Sequence, residues 1–163
     1  MNVEERFIAL SKLSETFQTG IFTESDTLGI HKLINYGYAD YWKEMPTVFQ
    51  ESAINLNITL RSIQSGIPLR ILDILACEGF LITNWQKKIE EYFEIDKEIV
   101  AFYSLDDLIE KVRYYMNRLQ ERKAIALAGK KKVLELFSYQ IRLYNIFRVA
   151  DLLQPLLNFP CMD

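Results

Sequence analysis

A single histidine, two cysteines and no surplus of positive charge leave this chain little of what metal sites, disulfide frameworks and nucleic-acid surfaces are built from. His31 has no partner at a ligand or triad spacing, so neither zinc coordination nor a histidine-activated nucleophile is indicated. Cys77 and Cys161 stand far apart, and Cys77 falls in an apolar stretch where a small buried side chain fits. A formal net charge of -3 and a pI near 5.3 oppose a phosphate-backbone surface and leave room only for a local phosphate site. Lys130, Lys131 and Lys132 read as a solvated helix face. No apolar run reaches the ~20 residues that span a bilayer, and two acids precede the first apolar helix, unlike a secretory signal. The expectation is a cytoplasmic protein with no membrane span, no nucleic-acid partner and no metal or other cofactor.

What is present is enough apolar material, half of 163 residues, to enclose one core, so residues 1–163 read as a single domain. Phe7, Ile8, Leu10, Leu13 and Phe17 recur at helical spacing and predict a helix over 3–17. Short strands are expected at 20–23 and 33–38. Asp40 then caps a helix toward Gln50, with Pro46 tolerated only if that helix starts late or kinks. Ala53 to Thr59 alternates strictly, placing Ile54, Leu56 and Ile58 on one face and Asn55, Asn57 and Thr59 on the other. Ser65 and Pro68 mark a helix start, Gly79 ends that helix, and the next strand follows at 80–83. Helix, strand and helix repeat over 85–93, 98–103 and 105–119, with Ser104 and Asp107 forming a variant capping box. Two more helices are expected, over 121–137 and from Ser138 toward Leu153, where Pro155 stops the second. The class is therefore α/β, a mostly parallel sheet sandwiched by helices.

In such a sheet, ligands bind beyond the carboxyl ends of the strands. The polar strand face of Asn57 and Thr59 points there, as does the loop from Leu60 to Gly66. The helix opening near Pro68 aims unpaired N–H groups and its positive end at the same crevice, an arrangement that holds phosphates. Arg61 offers a countercharge for a diphosphate, and Asp73, one turn into the helix, offers a carboxylate for vicinal hydroxyls. The plainer reading of Arg70 and Asp73 is an exposed intrahelical ion pair worth about 0.2–0.5 kcal/mol, favoured on the residues alone. Tyr36, Tyr38, Tyr41 and Trp42 read mainly as core and rim. Of these Tyr38 is the candidate for stacking a base, because it follows Gly37 at the end of a strand on the ligand side.

Five segments carry a resemblance. Gly37-Tyr-Ala-Asp-Tyr41, Ile54 to Arg61, Gly66-Ile-Pro-Leu-Arg-Ile-Leu-Asp73, Gly79 to Asn84 and Ser104 to Tyr115 are similar, in order and spacing, to the C-terminal lobe of the CgeB-like (spore maturation) group 1 glycosyltransferases of the two-lobed GT-B type. The likeness continues through Glu121 to Gly129 and on to Tyr139. It implies a Rossmann-like lobe that binds a nucleoside diphosphate sugar as donor and takes part in glycosyl transfer with retention to an unknown acceptor. In the family, two acids eight positions apart flank the loop and helix. Asp73 matches the second, which contacts the ribose, and Ser65 stands where the first would be. Glu78 likewise stands where a small residue is usual.

The resemblance implies donor-binding roles for Asp73, Arg61, Thr59, Asn57, Ser65, Gly66, Arg70 and Tyr38. It also implies an N-terminal acceptor-binding lobe or partner chain. The residues here do not build that lobe, so a fragment, an excised domain or a short relative is expected, with self-association through an exposed apolar wall. The alternative is a non-catalytic α/β interaction module derived from the same fold.

Overall fold

The structure is a computed structural model and describes residues 3–27, 29–59 and 66–157. Seven helices and five strands are seen among these residues. Helix α1 (Val3–Thr16) leads to β1 (Gly20–Ile21), which pairs in parallel with β2 (Ile34–Asn35) as a small sheet. After α2 (Met45–Glu51), the strands β3 (Asn55–Asn57), β4 (Leu81–Asn84) and β5 (Val100–Phe102) form a parallel sheet in that order. The crossovers are α3 (Leu69–Ala76) and α4 (Lys87–Tyr92). Helices α5 (Leu105–Met116), α6 (Leu119–Phe137) and α7 (Tyr139–Leu157) follow. The expected α/β class is what forms, with the strands divided between two parallel sheets.

The alternation of the strands explains the layers. Ile82, Val100 and Phe102 face one side, where they meet Ala9 and Leu13 of α1 and Leu108, Val112 and Tyr115 of α5. Leu81 and Ile99 face the other, against Phe49 of α2, Ile71, Ile74 and Leu75 of α3 and Ile89 of α4. Helix α6 serves both cores, giving Ile125 and Ala126 to the first and Val133 to the second. Both faces of the central strand are therefore covered, as parallel pairing requires.

Local chemistry sets most boundaries. Asp40 caps, but its Oδ1 accepts from the N–H groups of Trp42 and Lys43 at 3.0 and 2.8 Å in a turn ahead of the helix, and α2 starts late with Pro46 in its first turn. Helix α3 ends in a Schellman arrangement: Glu78 N–H donates to Leu75 O and Gly79 N–H to Ile74 O, both at 2.9 Å, with Glu78 at φ 62°. Glycine is needed at 79 because a side chain there would meet Phe49 O at 2.7 Å and Asn55 Nδ2 at 2.8 Å. Two expectations are corrected. Trp85 and Gln86 precede α4 instead of opening it, and α7 continues past Pro155 to Leu157, where a missing N–H this near the helix end forfeits one bond. The lysine run is not simply solvated: Lys130 pairs with Glu78 at 2.9 Å and Lys132 with Glu98 at 3.2 Å, tying α6 to both crossovers.

Candidate functional site

Three groups of side chains gather at or near the carboxyl edge of the β3-β4-β5 sheet. The first is a polar network where β3 and β4 end. Asn57 Nδ2 donates to Thr59 Oγ1 at 2.8 Å and to Thr83 Oγ1 at 3.1 Å. The Thr59 N–H donates to Asn84 Oδ1 at 2.7 Å, and Asn84 Nδ2 returns a bond to Thr59 O at 3.2 Å. Asn57 and Thr59 thus come together as the strand alternation predicts, with their polar groups bonded to each other and to β4. Asn55, on the same face, is structural: its amide donates to Phe49 O and Phe80 O.

The second group stands on α3. Pro68 precedes the helix and offers the first N–H groups of α3 no side-chain cap. Gly66 lies just before, half-buried, and a Cβ there would meet nothing within 4 Å. Arg70 and Asp73 do not form the ion pair their spacing allows. The Arg70 guanidinium lies over the rings of Tyr41 and Phe49, 5.8 and 5.6 Å from their centres. Asp73 faces the Tyr41 hydroxyl. The hydrogen bond to Asp73, burial and the carboxylate's charge together hold that phenol above its ordinary pKa, against an opposing pull from Arg70. Asp73 also raises the half-buried Cys77 thiol, although burial is the larger cause there. A raised thiol is a poor nucleophile, in keeping with a structural cysteine. Tyr38 is 69% exposed beyond Gly37, whose φ is 74° and whose N–H donates to Asn35 Oδ1. Arg61 and Ser65 lie outside the described residues.

Sequence reasoning missed the third group, a cavity of about 290 Å³ beyond β4 and β5. Asn84 and Trp85 approach it from the end of β4, Phe102, Tyr103 and Ser104 from the end of β5, and Glu5 and Ile8 from α1. Trp85 and Tyr103 stack with centroids 6.0 Å apart and planes 25° apart. The indole is held by its N–H donating to Glu90 Oε2 at 3.2 Å. Tyr103 is held by the capping residues: Ser104 Oγ accepts from Asp107 N–H, and Asp107 Oδ2 accepts from Tyr103 N–H at 2.9 Å. The usable signal was positional, since both aromatics immediately follow apolar strands. Among the described residues no cluster of histidine, cysteine and carboxylates is suited to a metal ion. No helix there is long and apolar enough to cross a membrane.

Comparison with known proteins agrees with this architecture. Residues 14–148 match the family model described as glycosyl transferase-like. No curated protein sequence matches the chain. Among solved structures, the crystal structure of TarM superposes with a TM-score of 0.68 over 90% of this chain at 10% sequence identity. The chain spans 32% of the length of TarM, so the likeness concerns one α/β lobe and its fold.

Proposed function

Since the chain belongs to the glycosyl transferase-like family, we propose that it is the lobe of a CgeB-like group 1 glycosyltransferase that binds a nucleoside diphosphate sugar and presents it for transfer to an acceptor. The observation that carries the reading is the junction after β3, where an uncapped helix opens at the carboxyl edge of a parallel sheet and sets a carboxylate one turn in. The start of α3 takes the diphosphate on its N–H groups, with Arg61 as countercharge and Gly66 allowing close approach. Asp73 accepts hydrogen bonds from the ribose hydroxyls, steadied by Tyr41. Arg70 packs its guanidinium over Tyr41 beside this carboxylate, and Tyr38 offers a ring for the base. Catalysis is then orientation of the donor and electrostatic stabilisation of the departing diphosphate, with retention at the transferred carbon.

A two-lobed enzyme needs a second wall to exclude water, and α7 offers a place for one. Tyr139, Leu143, Ile146 and Phe147 fall on one stripe of that helix and are all at least half exposed. An N-terminal acceptor-binding lobe, a partner chain or self-association would cover it. The same stripe, with Ser65 in place of the first acid, favours a second reading in which the fold survives as a non-catalytic interaction module.

Calorimetric titration with several nucleoside diphosphates separates the two. Saturable binding is expected, weakened about tenfold to a hundredfold in Asp73→Ala, the loss of a charged hydrogen bond of about 1.5–3 kcal/mol. Tyr41→Phe keeps the carboxylate and retains most of the affinity. Failure of every nucleotide to bind at millimolar concentration leaves the interaction module.

A further inference from the structure

We propose that the cavity beyond β4 and β5 is a subsite for a single hexopyranose ring, with the Trp85–Tyr103 pair as its floor. This rests on the glycosyl-transfer reading and adds to it a site that lies outside the junction of β3 and α3. Three observations carry it. The volume, about 290 Å³, stands at the lower end of small-ligand pockets and suits one sugar ring. The aromatic surface is fixed in advance: Trp85 and Tyr103 remain 39% and 65% exposed although their neighbours Asn84 and Phe102 are buried, the indole is held by its bond to Glu90, and the Tyr103 ring lies under the Lys111 ammonium, 5.7 Å from its centroid, on a backbone fixed by Asp107. A rigid, wet aromatic surface matches the face of a pyranose, whose axial C–H groups are apolar while its hydroxyls point to the rim.

The rim carries the complementary groups. Ser104 Oγ accepts from Asp107 N–H and keeps its own O–H to donate. The Asn84 amide carries a second N–H beyond the one given to Thr59. Glu5 of α1 also lines the cavity. Position fits as well. Adjacent strands lie about 4.8 Å apart, so the ends of β4 and β5 are roughly 5–10 Å from the end of β3, about the span from a diphosphate to the sugar it carries or to the sugar that receives it.

The test uses the full chain with Trp42→Phe, which leaves Trp85 as the single tryptophan. Trp42 is 83% exposed, so the fold should be untouched. Methyl glucoside, methyl galactoside, methyl mannoside and N-acetylglucosamine are titrated against Trp85 fluorescence, with glycerol as a polyol without a ring. At least one ring is expected to give a saturable response in the millimolar range, weakened tenfold or more in Tyr103→Ala, and glycerol none. Saturation-transfer NMR on the unsubstituted chain reads the same contact without any variant. Absence of a saturable response to all four sugars at 100 mM by both methods overturns the proposal, as does an unchanged response in Tyr103→Ala. A nucleoside diphosphate hexose that displaces the glycoside identifies the donor's sugar, and simultaneous binding identifies the acceptor's; either supports the subsite. A nucleoside diphosphate that binds while no glycoside does removes the subsite and leaves the donor reading standing, and the converse removes the donor reading alone.

Discussion

Asn84 is where the fold and the candidate site depend on the same two hydrogen bonds, and replacing it shows how much. Its carboxamide is 8% exposed and grips the backbone of Thr59 by both the N–H and the C=O, two residues after β3 has ended. The side chain thus substitutes for a neighbouring strand. Asn84→Ala leaves one buried donor and one buried acceptor without partners. At about 1–3 kcal/mol for each group, and with water at the sheet edge recovering part, the expected loss is about 2–4 kcal/mol. Asn84→Asp is the sharper probe because its shape is unchanged. It keeps an acceptor for the Thr59 N–H but sets a carboxylate oxygen against the Thr59 carbonyl, so it too is destabilised at neutral pH. The neutral acid can donate to that carbonyl, which raises the carboxyl pKa in the fold; stability should therefore return as pH falls through that raised pKa and be regained in full by about pH 4, the ordinary carboxyl range of the unfolded chain. Urea denaturation with an unchanged m-value gives the free energies, and amide exchange at Thr59 reports the local bond. An Asn84→Asp chain as stable as the original at pH 7, or a Thr59 amide still protected in Asn84→Ala, would refute this account.

Two further outcomes follow from packing and burial. Gly129→Ala should gain about 1 kcal/mol of helix propensity yet lose stability overall, because the new Cβ would abut the Glu98 carbonyl oxygen and lie 2.9 Å from Leu75 Cδ2, an overpacking cost of about 1–3 kcal/mol; a urea midpoint equal to or above that of the original chain contradicts it. Tyr115 has its phenol pushed up to about 12, mainly by burial, so the neutral form is favoured in the fold, and its contribution is complete below pH 10 and lost as pH rises toward 12. The stability difference between the original chain and Tyr115→Phe should therefore be constant to about pH 9 and shrink above pH 10, and a difference that stays flat to pH 12 rules the mechanism out.

The order of elements was legible because each carries its own local signal. Strict alternation marked β3, the Ser104 and Asp107 pair marked the start of α5, and Gly79 marked the stop after α3. What the sequence could not show was which polar groups the sheet consumes. Asn57 and Thr59 look alike whether they face a ligand or each other, and only the parallel register of β3 on β4, which sets Asn57 beside Thr83, brings their partners near. Arg70 and Asp73 misled for a related reason. Helical spacing permits their pairing, but Tyr41, about thirty residues earlier, stands between the alternatives and draws the guanidinium to its ring and the carboxylate to its hydroxyl. Gly129 is a poor helix former in the middle of α6, and only the neighbouring Glu98 carbonyl, which a Cβ would abut, supplies the reason for it.

The aromatic pair at the sheet edge follows a different logic. Every residue of β4 and β5 is buried, and the chain then places a large ring at the first position past each strand. Stability alone does not ask for this. A residue leaving a buried strand for solvent ahead of a helix is served by small polar side chains that cap and hydrate, as Ser104 does one position later. Trp85 and Tyr103 instead leave apolar surface in water, the first ring held by Glu90 and the second lying under the Lys111 ammonium. Their stacking recovers about 0.5–1.5 kcal/mol, less than burying either ring in the core would contribute. A surface both exposed and held rigid at the ligand-facing edge of a parallel sheet is therefore better explained by something that packs on it than by the fold beneath it.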